Sequence, residues 1–421
     1  MTEIDTLRTQ ARLLFDAAVT AADPAHAVRR GLTQSPVPPQ KPGGRTFLIA
    51  IGKAAPAMLR EAMAAMPDAH VALAVTHHEN DATLDGAELL RAGHPVPDEA
   101  GARAAQRVME VLTEATETDR VVALISGGGS ALLPAPPPGV SLSDKARLNG
   151  LLLSAGLDIV QMNLVRQQVS LLKGGGFVRY AAPAPVYPYL LSDVIGDDLR
   201  AIASGPTVSP IGTAAETIAT LKSAGIWEAA PASIRTHLEQ AQHETPPPLP
   251  DVTNTLVGSN RLSLEAMLDE ARNIGLNARI VSDALTGDVG DAAKVVLAEL
   301  IARPEPTALL FGGETTVKLT GTGRGGRNQE LALRVATQAP EMTAKWVFLS
   351  GGTDGRDGPT DAAGGVVDSG TLPRIAAAGQ DVTALLANND SYAALAAAGD
   401  LLMTRATGTN VADVQVLLIA P

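Results

Sequence analysis

Three short apolar runs that end in clustered glycines constrain this chain more than any other feature. Residues 121–125 run into Ser126-Gly-Gly-Gly-Ser130, residues 308–311 into Gly312-Gly313-Glu314, and residues 346–349 into Ser350-Gly-Gly-Thr-Asp354. Apolar runs this short, without polar alternation and bounded by glycine, predict strands covered on both faces, as in a parallel sheet. The runs 46–51, 71–76, 255–257 and 278–281 extend the series, and helix-forming stretches lie between them. Such strand–loop–helix alternation predicts a doubly wound α/β fold. Residues 186–191 predict a further strand, at an edge or with a bulge, because Pro188 has no N–H for the ladder. Ligands of open α/β sheets bind beyond the carboxyl ends of the strands, so the glycine-rich loops lie where a site belongs.

A chain of 421 residues is too long for one compact core. The stiff segment 244–251, with Pro246, Pro247, Pro248 and Pro250, is the best linker. It predicts an N-terminal domain over 1–243, including a first helix over 6–22, and a C-terminal α/β domain over 252–421. Cysteine is absent, which removes disulfides, thiolate metal sites and cysteine nucleophiles. A net charge of −12 argues against nucleic acid as a partner. The N-terminus has no basic and apolar leader, and no apolar run reaches membrane-spanning length, so a soluble, cytoplasmic protein is expected.

The stretch 310–330 concentrates the chemistry. Gly312, Gly313, Gly321, Gly323, Gly325 and Gly326 flank a short run and lead into an amphipathic helix, with Arg324 and Arg327 among them. Glycines admit close approach to backbone N–H groups, a helix start favours an anion, and guanidinium groups favour phosphate or carboxylate. The plainer reading is a hairpin turn followed by a helix cap. Gly321-x-Gly323-x-x-Gly326 matches a dinucleotide fingerprint, but residues 315–320 alternate like a half-exposed antiparallel strand rather than a buried first Rossmann strand. A P-loop fails too, because Arg327-Asn328 stand where lysine and a hydroxyl belong.

Other candidates carry charge at strand ends. Lys53, one of only eight lysines, sits at a strand-to-helix turn, suited either to phosphate or to lying along the surface. The Ser126–Ser130 loop offers consecutive N–H groups and hydroxyls to an anion, unless it is merely a tight turn. Asp193, Asp197 and Asp198 form one acidic loop, and Asp354, Asp357 and Asp361 another. Such carboxylates suit Mg²⁺ held with phosphates, or a base for a hydroxyl, although Asp-Gly is also common turn chemistry. The histidines show no metal-ligand spacing.

Taken in order, Ile51-Gly-Lys-Ala-Ala55, Ser126-Gly-Gly-Gly-Ser130, Leu191-Ser-Asp-Val-Ile-Gly-Asp-Asp-Leu199, Ala203-Ser-Gly-Pro-Thr207, Gly325-Gly-Arg-Asn-Gln-Glu330 and Ser350-Gly-Gly-Thr-Asp-Gly-Arg-Asp-Gly-Pro359 resemble the class II glycerate 2-kinases. Their C-terminal part is known as the MOFRL domain. The resemblance spans nearly the whole chain. It implies a Rossmann-like N-terminal domain, a smaller C-terminal α/β domain with a mixed sheet, and an active site in the interdomain cleft, with the Pro-rich linker permitting closure. It further implies ATP-dependent phosphorylation of D-glycerate at its 2-hydroxyl, with Mg²⁺; neither a nucleic-acid nor a membrane partner is expected from the charge and the apolar runs.

The family's proposed catalytic lysine and arginine match Lys53 and Arg327. Asp193 would orient or deprotonate the hydroxyl. Asp197 and Asp354 would hold Mg²⁺. Ser126, Gly127, Gly128, Gly129 and Ser130, with Glu314, Gly325, Gly326 and Asn328, would bind substrate carboxylate or phosphate. An NAD(P)H-dependent hydroxypyruvate reductase is the enzymatic alternative, and a sugar-acid-binding regulator the non-catalytic one. The oligomeric state, monomer or homodimer, stays open at this point.

Overall fold

The computed structural model describes residues 2–244, 248–302 and 307–420. Packing divides the chain into two compact units. One comprises Ala27–Ser192 and Asp197–Val257, the other Met1–His26, Asp193–Gly196 and Gly258–Pro421. Residues 245–247 of the expected linker lie outside the described residues.

The first unit is built on strands β1 (Thr46–Ile51), β2 (Val71–His77), β3 (Glu88–Ala92), β4 (Arg120–Ile125), β5 (Val186–Leu191) and β6 (Thr255–Gly258). Their order is β3-β2-β1-β4-β5-β6, with β1 parallel to both β2 and β4. This is a doubly wound sheet, and every residue of β1 is buried, as its unbroken apolar run predicts. Pro188 does not mark an edge. It lies opposite Ala123 of β4, and β6 follows on the far side of β5. A strand residue points its N–H to one neighbour only, so an interior proline forfeits one bond and not two. The edge strand β3 has no apolar run, with Glu88 and Arg91 inside it, and the sequence pattern passes over it. Four helices, Leu142–Ser154, Ile159–Gln168, Ala214–Ser223 and Ala232–Ala241, share a satellite core around Leu148, Leu152, Leu221, Trp227 and Leu238.

The second unit holds β7 (Ala278–Ser282), β8 (Gly287–Asp288), β9 (Thr307–Gly313), β10 (Thr315–Thr316), β11 (Lys345–Gly352), β12 (Ala362–Asp368), β13 (Leu401–Met403) and β14 (Asp413–Ala420). The main sheet runs β13-β12-β11-β14-β9-β7 and is mixed. β11, β12, β13, β14 and β9 pair antiparallel, and β7 joins β9 in parallel. The expected strand over 315–320 is reduced to Thr315–Thr316, which pairs parallel with β8. β12 escapes the sequence pattern because Gly364 and Gly365 interrupt it. A Cβ on Gly364 would stand 1.9 Å from the Ser350 carbonyl oxygen, so the close approach of β11 demands glycine there.

The division of the chain differs from the expected boundaries of 1–243 and 252–421. Helix Glu3–Ala21 belongs to the second unit, where Leu7, Ala11, Leu14, Phe15 and Ala18 join the core of Leu264, Val347, Leu349 and Val416. Arg8 anchors it through Asp400 at 2.9 Å. Conversely β6, expected to open the second domain, closes the first sheet, and Val257 packs where a side chain on Gly31 would stand. Hydrophobic faces, and not chain order, decided both placements. Among the described residues no helix is long and apolar enough to cross a membrane.

Candidate functional site

In the order β3-β2-β1-β4-β5-β6 the chain reverses direction between β1 and β4, so the carboxyl ends of these two strands flank the switch-point crevice. Gly52-Lys53 follow β1, and Ser126–Ser130 follow β4. The two turns are sewn together. Ser126 N–H donates to the Ile51 carbonyl at 2.8 Å, and Lys53 N–H to the Gly127 carbonyl at 2.9 Å. Gly52 has φ +126°, and a Cβ there would lie 2.2 Å from Ser126 Oγ. Gly128, at φ +86°, leaves room where a Cβ would meet Lys53 Cγ at 3.1 Å and His94 Cδ2 at 3.2 Å.

Lys53 and the glycine turn, separate candidates in the sequence, are therefore neighbours. Lys53 is exposed and forms no ion pair among the described residues. Ser126 differs from its expected role. It is 1% exposed, and its Oγ accepts from Ala54 N–H at 3.1 Å, so it braces the turn and does not face a ligand. Gly129 packs under Ala203. Ser130 Oγ pairs with Ser204 Oγ at 2.9 Å. Burial lowers the pKa of His94, and the nearby Lys53 charge lowers it further, which favours a neutral imidazole beside the ammonium.

The second unit places Arg327 at the start of helix Arg327–Gln338. Its Nε and Nη2 donate to Asp413 at 2.6 and 2.9 Å, and Nη2 lies 3.2 Å from Glu314. Burial opposes the charge, but the Asp413 carboxylate outweighs it and raises the guanidinium pKa. Asp413 is 0% exposed, so it fixes the plane of the guanidinium and leaves Nη1 without a recorded partner among the described residues. Asp354 borders this pair. A Cβ on Gly352 would lie 3.1 Å from Asp354 Oδ1 and 3.5 Å from Asp413 Oδ1. Asp193 belongs to the same unit as Arg327 and is partly exposed. Asp197, in the other unit, has φ +53° and a buried Oδ1 with no hydrogen-bond partner among the described residues.

The anion expected at this helix start is already present in the chain. Asp357, 2% exposed, accepts from Asn328 N–H at 3.1 Å and from Gln329 N–H at 2.7 Å. The glycines before the helix serve packing. The N–H groups of Thr320, Gly321, Thr322, Gly323 and Arg324 donate to Asn388, Asn389 and Asp390. A Cβ on Gly325 would stand 2.1 Å from Ser391 Oγ, and one on Gly326 2.2 Å from Asp357 Oδ1. Asn328 is buried and accepts from Ser350 Oγ at 2.6 Å. Gly325, Gly326 and Asn328 thus shape the turn that holds Arg327, and the Asn328 N–H expected to meet an outside phosphate is spent on Asp357. Arg324 stacks on Tyr392 at 5.0 Å.

Several functional candidates pass unnoticed in the sequence. Asp413 heads an apolar strand with no motif around it. Lys145, Arg166 and Lys173 line a cavity of about 410 Å³ in the first unit, together with Gly128, Ser130 and His94. Lysine scarcity and the three glycines after Lys173 were the available signals. Among the described residues no three His, Asp or Glu side chains cluster as a metal cage.

Comparison with known proteins adds relationships. A family described as "Domain of unknown function (DUF4147)" matches residues 10–239, and the MOFRL family matches residues 307–413. A protein of Pyrococcus horikoshii named glycerate 2-kinase is 38% identical, with 96% of each chain covered. A Thermotoga maritima D-glycerate 2-kinase is 38% identical over the full length of both chains. The crystal structure of a glycerate kinase from that organism superposes with a TM-score of 0.92 at 37% identity, covering 99% of this chain and 100% of the other. A provisionally named hydroxypyruvate reductase of Agrobacterium vitis is 40% identical, covering 97% of this chain and 93% of its own.

Proposed function

Because the chain belongs to the glycerate 2-kinase family, with its paired DUF4147 and MOFRL regions, we propose that it transfers the γ-phosphoryl group of ATP to the 2-hydroxyl of D-glycerate, giving 2-phosphoglycerate and ADP. The observation that carries this reading is Lys53. It stands, without an ion pair among the described residues, beside the Gly127–Gly128 turn at the switch point of a doubly wound sheet. A cation there suits a group that carries negative charge on three oxygens through its transfer.

In the proposed reaction the 2-hydroxyl oxygen attacks the γ-phosphorus, the bond to the bridging oxygen of ADP breaks, and Asp193 accepts the hydroxyl proton. Lys53 and Arg327 each supply positive charge to the phosphoryl oxygens. Asp413 holds the Arg327 guanidinium in one orientation, so Nη1 needs little reorganisation to donate. Mg²⁺ fits the donors on hand. Among the described residues Asp197 offers a buried carboxylate oxygen with no partner, and Asp354 Oδ1 accepts from Arg356 N–H at 2.9 Å. One or two carboxylates are what Mg²⁺ takes when phosphates complete its shell, and the ion would neutralise phosphate charge.

The reductase alternative draws no support from the Gly321–Gly326 fingerprint, whose N–H groups from Gly321 to Arg324 are spent on residues 388–390. Two assays separate the readings: ADP formation with D-glycerate, and NADH oxidation with hydroxypyruvate. The first is expected to be active and the second silent.

A further inference from the structure

The cavity beside the Gly128–Ser130 turn has a composition that the chemistry above does not use. It is about 410 Å³, within the range of small-molecule pockets. Among the described residues three cationic side chains line it, Lys145, Arg166 and Lys173, and no carboxylate does. Lys145 Nζ donates to the carbonyls of Pro134 at 2.6 Å and Val169 at 2.5 Å. Arg166 Nε and Nη2 both donate to Asn149 Oδ1, which leaves Nη1 over. Lys173 is 8% exposed and has neither an ion pair nor a side-chain hydrogen bond among the described residues. A buried ammonium without a counter-charge is costly, and burial accordingly pulls its pKa down to about 7. Three cations gathered without an acid are the arrangement a multiply charged anion stabilises.

We infer that this cavity receives the nucleoside triphosphate, its polyphosphate against Lys145, Arg166 and Lys173 and its base against the apolar wall that includes Val96, Leu142 and Leu152. The inference rests on the kinase reading and decides which substrate the cavity takes. A three-carbon hydroxy acid carries one carboxylate, which a single guanidinium satisfies, and it has no apolar body to cover such a wall. A nucleotide has both the charge and the flat apolar surface. The cavity is also lined by Ser130 and by Gly128, where a Cβ would stand 3.1 Å from Lys53 Cγ, so a terminal phosphate against that turn would lie near the proposed catalytic lysine.

The test uses the full chain, ADP as probe in calorimetric titration, and two variants. Lys173→Met removes the unpaired charge at nearly constant volume. Without ligand its melting temperature is expected to equal or exceed that of the parent, because no partner is lost. Gly150→Leu narrows the cavity from helix Leu142–Ser154, where a Cβ meets nothing within 4 Å and leucine favours helix over glycine. Both variants are expected to weaken ADP binding and raise KM for ATP by about tenfold to a hundredfold, while KM for D-glycerate moves less than twofold. A tenfold rise in glycerate KM with ADP binding unchanged would give the cavity to the acid and overturn the inference, as would unchanged ADP affinity in both folded variants. Loss of ADP binding in a protein that phosphorylates no glycerate would sink the kinase reading and leave the pocket assignment standing.

Discussion

Asp357 is a carboxylate in competing surroundings. Two backbone N–H groups at a helix start favour its charge, yet burial outweighs them and, with the Asp413 charge adding, pushes its pKa up to about 6 from 3.8. Between those values the folded state holds a proton that the unfolded chain has released. Stability from this group is therefore full below pH 4 and lost as pH rises through 6, by about 3 kcal/mol. In Asp357→Asn that loss is absent. Urea unfolding at pH 4 and pH 7 should show the parent losing about 3 kcal/mol relative to the variant across the interval. An unchanged difference would mean that the two N–H groups keep Asp357 ionised throughout.

At the scale of elements, the β1 and β4 turns form one device. Gly52 allows Ser126 to fold against the chain, and that contact places the Lys53 N–H on the Gly127 carbonyl. Gly52→Ala would force a side chain into a 2.2 Å gap at φ +126°. It should cost about 2–4 kcal/mol in denaturant unfolding and lower kcat in the molecules that stay folded. A kcat equal to that of the parent would separate Lys53 from the turn. This device was legible in the sequence, because an apolar run followed by Gly-Lys or Ser-Gly-Gly-Gly encodes both strand and turn locally. The 310–330 stretch was legible as irregular but not in purpose. Its Gly321 and Asn328 answer to Asn389 and Asp357, 68 and 29 positions away in the chain. Lys145 and Lys173 were hidden for the same reason: the carbonyls that hold Lys145 and the burial of Lys173 are products of tertiary packing, not of a local pattern.

At the scale of the whole molecule, chain order misleads twice. Helix Glu3–Ala21 is sequentially first but buries its apolar face in the unit that holds Arg327, and β6 closes the sheet that holds Lys53. The doubly wound N-terminal sheet follows from its apolar runs, whereas the runs 308–311 and 346–349, read as strands of a parallel sheet, pair antiparallel with β14. The true borders of the two units do not follow, because a helix of clear amphipathicity does not say which core it covers. The two proposed cations thus come from separately packed units. If both act on one phosphoryl group, their losses are coupled. Lys53→Ala and Arg327→Ala should each lower kcat by about 10²–10³, and the double variant by less than the product. Strict multiplication of the two effects would assign the residues to independent tasks.

The most direct measurement is of product and rate together: ADP release with D-glycerate and ATP, with the phosphorylated acid identified by NMR, for the parent and for Lys53→Ala. The account predicts 2-phosphoglycerate from the parent and a rate about 10²–10³ lower from a variant that is equally folded. Phosphorylation at the 3-hydroxyl, or a Lys53→Ala variant as fast as the parent, would contradict it.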